Sequence, residues 1–205
     1  ASPYPLPAGL AGLWHFDESS GAWAGDASPW RNAGGLVCLG VPAVCGASNS
    51  TPAFTSDAPP SLANSVSFSG LGNSLVRISS ASQYDFTDSL TVSAWIKPAA
   101  GAQPDGTGLA AKGTWGNEAF SLELALVSGL PRYRFRAKLG GGGSVVAPAT
   151  SSVRAGLWDL VTGVFDSASS SAALYINGIF VASAPTGGLL RAANTEPIAV
   201  GNRKD

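Results

Sequence analysis

Four cations stand at every second position of one short stretch: Arg132, Arg134, Arg136 and Lys138 in "PRYRFRAKLGGGG", residues 131–143. On an extended strand such residues share a face and lie roughly 6.6–6.8 Å apart. A row of this kind can meet successive carboxylates, sulfates or phosphates of an anionic ligand. The competing reading is a solvated outer face, whose long cationic stems cover apolar sheet. Tryptophans supply a second chemistry. Trp23, Trp30 and Trp115 lie in the loop-like stretches "SGAWAGD", "SPWRN" and "KGTWGNE". An exposed indole there can stack on a sugar ring or anchor a protein contact; packing over the end of the fold is the alternative. Trp14, Trp95 and Trp158 fall in strand-like runs and are expected in the core.

Acid–base chemistry is poorly provided for. Glycoside cleavage by double displacement needs two carboxylates flanking the scissile bond. The stretch "AFSLELALV", residues 119–127, carries Glu123 alone on its polar face, and Glu118 precedes it. A serine-type arrangement would have to use His15, the single histidine, which sits between Trp14 and Phe16 and reads as a packed or edge side chain. Phosphate-cradling and dinucleotide-binding loops are missing. These residues do not lead us to expect an enzyme.

Cys38 and Cys45 in "LVCLGVPAVCGAS" are the only cysteines. Two thiols alone make a poor zinc site, and the spacing is not that of a C-x-x-C redox pair. A small structural disulfide is expected, worth about 2–2.5 kcal/mol on the chain-entropy model. It implies an oxidising compartment, secreted or at the cell surface.

The elements that must position these residues are strands. Apolar residues alternate or form short runs bounded by Gly, Pro, Asn and Ser, with no sustained helical period. Strands are predicted over residues 12–16, 65–69, 74–79, 90–98, 119–127, 132–139, 157–166, 172–178, 179–184 and 197–202. Many short strands separated by turns indicate a two-sheet sandwich or jelly roll. Asn177-Gly178 is the clearest local signal, because a type I′ turn needs positive φ at both positions. It sets Tyr175 across from Phe180 and Ile176 across from Ile179. Residues 119–127 and 132–139 read as a hairpin around "SGLP". That register puts Phe120, Leu122, Leu124 and Leu126 on one face with Tyr133, Phe135, Ala137 and Leu139. Ser121, Glu123 and the four cations take the other, with Glu123 opposite Arg136. Residues 38–64 read as a long excursion, and 99–108 and 140–144 as surface loops.

The 205 residues fit one β-rich domain, residues 1–205, with ample length for a core. Charged residues make up 12%, about half the usual share. The net charge of −1 argues against a general nucleic-acid binder. No apolar run is long enough to span a membrane as a helix. The opening "ASPYPLPAGL" lacks both a Met and a signal peptide, as expected of a mature or excised domain.

Seven stretches occur in an order that resembles the laminin G-like domains of the concanavalin A-like lectin/glucanase superfamily. They are "GLWHFDESSG", "DASPWRNAGGL", "SVSFSGLGNSLVRI", "YDFTDSLTVSAWIKP", "LWDLVTGVFD", "ALYINGIFVAS" and "PIAVGNR". The resemblance covers roughly residues 10–203, and "SLTVSAWIKP" with "LYINGIFVAS" is its most specific part. It implies an all-β fold: a concanavalin A-like, antiparallel two-sheet jelly roll. It implies a non-catalytic module that binds carbohydrate, with the cation row suiting an acidic glycan. A protein–protein adhesion module, using an open strand edge or the loop tryptophans, is the alternative; a glycan-degrading enzyme ranks third. The resemblance also implies a structural calcium ion, with Asp26 and, less directly, Ser28 and Asn32 as ligands. Oxygen donors of this kind suit a hard cation, although Asp26 could equally cap a turn. The family stretch is commonly Gly-rich where this chain has Pro29 and Trp30. The family also continues past the equivalent of "GNRKD" with one more strand. That strand is expected from outside residues 1–205, by donation from a partner or adjoining domain, or else the first strand keeps an open edge.

Overall fold

A computed structural model describes residues 5–39, 51–68, 73–100, 104–114, 116–150, 152–191 and 194–201. The chain divides into two compact units, Ala1–Tyr84 and Asp85–Asp205. Strands dominate both, and no α-helix forms among the described residues.

In the first unit the strands are β1 (Trp23–Ala24), β2 (Gly34–Leu39), β3 (Ala53–Thr55), β4 (Ser65–Ser67) and β5 (Asn73–Ile78), followed by a 3-10 turn at Ser82–Tyr84. β2 lies between β1 and β5, antiparallel to both, and β3 pairs with β4. The strand predicted over 12–16 does not form. Trp14 makes only an isolated bridge to Asp26. Phe16 turns the chain with φ of 57°, a left-handed conformation that breaks a strand. β2 forms instead over residues that carried no strand prediction, its last two lying in the stretch read as an excursion. Gly34 is needed there: a Cβ would lie 2.6 Å from Val76 Cγ1 of β5.

The second unit is an antiparallel sandwich of two sheets. Its strands are β6 (Ser89–Ile96), β7 (Thr107–Lys112), β8 (Phe120–Val127), β9 (Leu130–Lys138), β10 (Ser144–Pro148), β11 (Asp159–Asp166), β12 (Ser171–Ile176), β13 (Ile179–Pro185) and β14 (Ile198–Val200). One sheet runs in the order β14-β7-β8-β9-β10 and the other β13-β12-β11-β6. The predicted hairpin at Asn177-Gly178 forms as expected. Both residues have positive φ, and Tyr175 pairs with Phe180 and Ile176 with Ile179. The glycine-rich loop read over 140–144 instead ends in β10, whose short "SVVAP" segment gives little alternation.

The core is the space between the two sheets. Leu122, Leu124, Tyr133, Phe135 and Ala137 face Leu90, Val161, Phe165 and Leu174, all buried. One contact sets the spacing. Gly163 of β11 lies opposite Val92 and Leu174 in register, and the Phe135 ring from the other sheet fills the space above its bare backbone. A Cβ on Gly163 would lie 2.3–2.8 Å from three ring carbons of Phe135. Gly163→Ala is therefore expected to lower stability by about 1–3 kcal/mol through overpacking. Urea denaturation measures it; an unchanged midpoint would mean that the ring has room to retreat.

Candidate ligand-binding surfaces

The cation row lies where the alternation of β9 places it, on the face turned away from the core. Tyr133, Phe135 and Ala137 point inward, while Arg132, Arg134, Arg136 and Lys138 point outward and are half-buried. The register differs by two residues from the one expected. Ser128 and Gly129, both with positive φ, form a two-residue turn, and Val127 pairs with Leu130. Pro131 therefore sits inside β9, where the sequence suggested loop. A shift of two keeps every side chain on its face but puts Glu123 opposite Arg134, not Arg136.

Glu123 nonetheless serves both arginines. Its Oε1 accepts from Arg134 Nε at 2.5 Å and from Arg136 Nε at 3.2 Å. Ser121 Oγ lies 3.4 Å from Oε2. The carboxylate is 0% exposed, so these charge-assisted bonds offset the cost of burying it. At the ends of the row the cations hold backbone. Lys138 Nζ donates to the Gly116 carbonyl at 2.7 Å, and Arg132 donates to the Thr150 carbonyl. The Arg132 Nε is buried without a partner. Two of the four cations thus share Glu123, and the two at the ends of the row are held by backbone carbonyls.

The three residues expected as calcium ligands come together, but as one another's hydrogen-bond partners. Asp26 Oδ1 accepts from the amides of Leu13 at 2.9 Å and Ser28 at 2.8 Å. Its Oδ2 accepts from the Ser28 hydroxyl at 2.8 Å and the Asn32 amide at 2.9 Å. Asn32 donates from Nδ2 to the Ser79 carbonyl and the Tyr84 hydroxyl, and its own carbonyl accepts from Trp14 Nε1 at 3.1 Å. A carboxylate offers about four lone-pair positions, and four donors fill them. These residues do not fit a calcium ion. Asp26 organises a turn and ties residues 13–14 to it. Among the described residues no cluster of His, Cys, Asp and Glu is placed to hold a metal. Burial pushes the Asp26 carboxyl up, but the amides of Leu13, Ser28 and Asn32 outweigh it and leave it below its ordinary value.

Of the loop tryptophans, Trp23 is 67% exposed and Trp30 57%; Trp115 lies outside the described residues. Trp95, expected in the core, is exposed at 41%, because it alternates with Ala94 and Ile96 and points away from the other sheet. Trp14 is partly buried, 6.4 Å from the Tyr84 ring centroid, and Trp158 is half-buried. His15 is exposed. Cys38 lies in β2 and is not a free cysteine; Cys45 lies outside the described residues.

Two polar groups escaped the sequence reading. Asp159, at the start of β11, is buried and accepts from Tyr133 Oη at 3.3 Å, from Asn177 Nδ2 at 2.8 Å and from Arg154. It clips one sheet to the other and both to the Asn177 turn. Burial, with the Asp159 charge beside it, raises the Tyr133 phenol well above its ordinary value. Lys112 is 1% exposed, with Nζ donating to the carbonyls of Asn194 at 3.0 Å and Glu196 at 3.1 Å. Both residues sit at strand ends, where no periodic pattern marks a buried charge.

Two outcomes follow from these networks. Glu123→Gln removes the charge that the arginines share and is expected to lower stability by about 1–3 kcal/mol, with a larger loss at low salt, where the row repels itself. Denaturation at two ionic strengths checks this, and a salt-independent loss would contradict it. The contribution of Asp26 is full above its unfolded value of about 3.9 and fades as pH falls through the lower folded value. Asp26→Asn should therefore destabilise at neutral pH and flatten the acid limb of a melting-temperature profile; parallel acid limbs would show that the carboxylate is not the titrating group.

Comparison with known proteins agrees with this architecture. No curated protein matches the sequence. The binding domain of Paraclostridial Mosquitocidal Protein 1 superposes with a TM-score of 0.64 at 14% identity, over 93% of this chain and 46% of that one. The chain thus spans about half the length of that structure. Domain 4 of AbnA, a GH43 extracellular arabinanase from Geobacillus stearothermophilus solved in complex with arabinotriose, gives 0.53 at 17% identity, over 76% of this chain and 68% of that one. Both show the shared fold. Residues 70–205 match the family described as the concanavalin A-like lectin/glucanases superfamily. On that match, which takes in all of the two-sheet sandwich, the chain belongs to the concanavalin A-like lectin/glucanases superfamily.

Proposed function

We propose that this chain is an extracellular, non-catalytic carbohydrate-binding module whose ligand is an acidic glycan. The carbohydrate reading draws support from the family and from the likeness to an arabinanase domain solved with arabinotriose. One observation carries the acidic ligand: the outer face of β9 carries four cations in a row, of which Arg134 and Arg136 are held by the buried Glu123. Glu123 fixes two of the guanidinium groups in place, which lowers the entropy lost on binding. Glu123 is fully buried beneath the two arginines, out of reach of a substrate, which supports a non-catalytic role. The proposed Cys38–Cys45 disulfide supports placement outside the cytosol.

Calorimetry with polygalacturonate and with neutral arabinan at low and high salt tests the reading. Polygalacturonate should bind more tightly, and its affinity should fall with salt. Arg132→Ala and Lys138→Ala, which leave Glu123 paired, should each weaken it about two- to fivefold. Equal, salt-insensitive affinities would remove the acidic specificity, and binding to neither polymer would remove the carbohydrate reading. A second reading, protein adhesion, draws on the exposed Trp95, Ile179 and Phe180 of β6 and β13. Retention on protein-coated but not glycan-coated beads, lost in Phe180→Ser, would favour it.

A further inference from the structure

Outside the β9 face, one row of the first unit combines an exposed aromatic ring with an unpaired cation. Trp23 of β1 lies directly opposite Gly35 of β2, and Gly35 directly opposite Arg77 of β5. Residues opposite one another in adjacent strands project from the same face. The Trp23 indole lies down across the middle strand. Its Cζ3 and Cη2 atoms come within 3.4 and 3.7 Å of the place a Gly35 Cβ would take. The ring therefore reaches from β1 over β2 toward β5, supported from beneath by bare backbone, and still keeps two-thirds of its surface open. Arg77 is exposed, and among the described residues its side chain has neither an ion pair nor a hydrogen bond. Two strand spacings, roughly 9–10 Å, separate the backbones of Trp23 and Arg77. The carboxylate beside β1, Glu18, is tied by Oε1 to the Gly25 amide at 2.6 Å.

We infer that Trp23, Gly35 and Arg77 form a second saccharide subsite, which takes one uronate ring. The apolar face of the sugar stacks on the indole and its carboxylate meets the Arg77 guanidinium. An indole offers a stacking surface with few rotamers to freeze. A free guanidinium offers a planar fork that matches a carboxylate. Gly35 is the positioning residue: a bare Cβ there would only touch the indole, but a side chain branching beyond Cβ would compete with the ring for the space over β2. This inference rests on the carbohydrate reading but concerns a different surface, so the two can fail separately.

The test is a titration of the whole chain with trigalacturonate, followed by NMR of the indole N–H signals, the Trp23 signal being identified by its loss in Trp23→Phe. In wild type and in the Arg132→Ala/Lys138→Ala double variant, the Trp23 signal should move with similar affinity. In the Arg132→Ala/Lys138→Ala background, adding Trp23→Ala should weaken trigalacturonate binding at least about tenfold by calorimetry. Arg77→Ala should weaken the subsite severalfold for trigalacturonate and leave the response to neutral galactotriose unchanged. Gly35→Val should weaken it while Trp23 is still present, with circular dichroism confirming the fold. A Trp23 signal that stays fixed while trigalacturonate binds elsewhere overturns the subsite and leaves the β9 reading intact. Equal responses to the neutral and acidic trisaccharides, insensitive to Arg77→Ala, overturn the assignment to a uronate.

Discussion

Gly163 and Phe135 set the phase of everything on β9. A phenyl ring can sit against bare backbone only if Phe135 points inward at that place. Once it does, the period of two forces Arg134 and Arg136 outward and brings Glu123, on the neighbouring strand, under them. A slip of one residue would turn the four cations of β9 inward and expose Tyr133, Phe135 and Ala137. The cation row is thus a consequence of sheet-to-sheet packing before it is a feature of any ligand site.

A chain with so few charges uses those it buries as organisers. Glu123 joins two arginines of the adjacent strand. Asp159 gathers Tyr133, Arg154 and Asn177. Lys112 holds the carbonyls of Asn194 and Glu196 ahead of β14, with Asp85 at 3.9 Å. Burial pushes its ammonium below the ordinary value, with Asp85 and Glu196 acting against that shift. Asp26 does the same for a loop, taking all four of its donors from residues 13, 28 and 32. In each case one buried charge has several partners, which is what makes its desolvation tolerable.

How much of this was legible depended on whether the deciding interaction was local. The Asn177-Gly178 turn is fixed by two residues, and its register followed from them. The face of each residue on β8 and β9 followed from alternation. Their pairing did not, because Pro131 mimicked a loop residue, whereas Leu126 opposite it accepts a partner without an N–H at the hairpin end. β2 and β10 were missed because Gly34, Gly35 and "GGGGS" look like turn material, yet Gly34 is bare so that Val76 can approach. Trp95 misled through size: a large indole in a strand suggests a core, but its parity sends it outward. At Asp26 the expected residues come together, as hydrogen-bond partners of one another. Whether an Asp oxygen receives a metal or an amide is decided by where the backbone of Leu13 and Asn32 passes, and composition does not record that.

The sharing of Glu123 has an evolutionary corollary. Either Arg134 or Arg136 can drift to another residue while its neighbour still neutralises the carboxylate beneath. The first such change silently removes the tolerance for the second. Lineages that lose one arginine are therefore committed to the other, and the two positions are expected to show strong epistasis, with the order of substitution deciding which sequences can be reached.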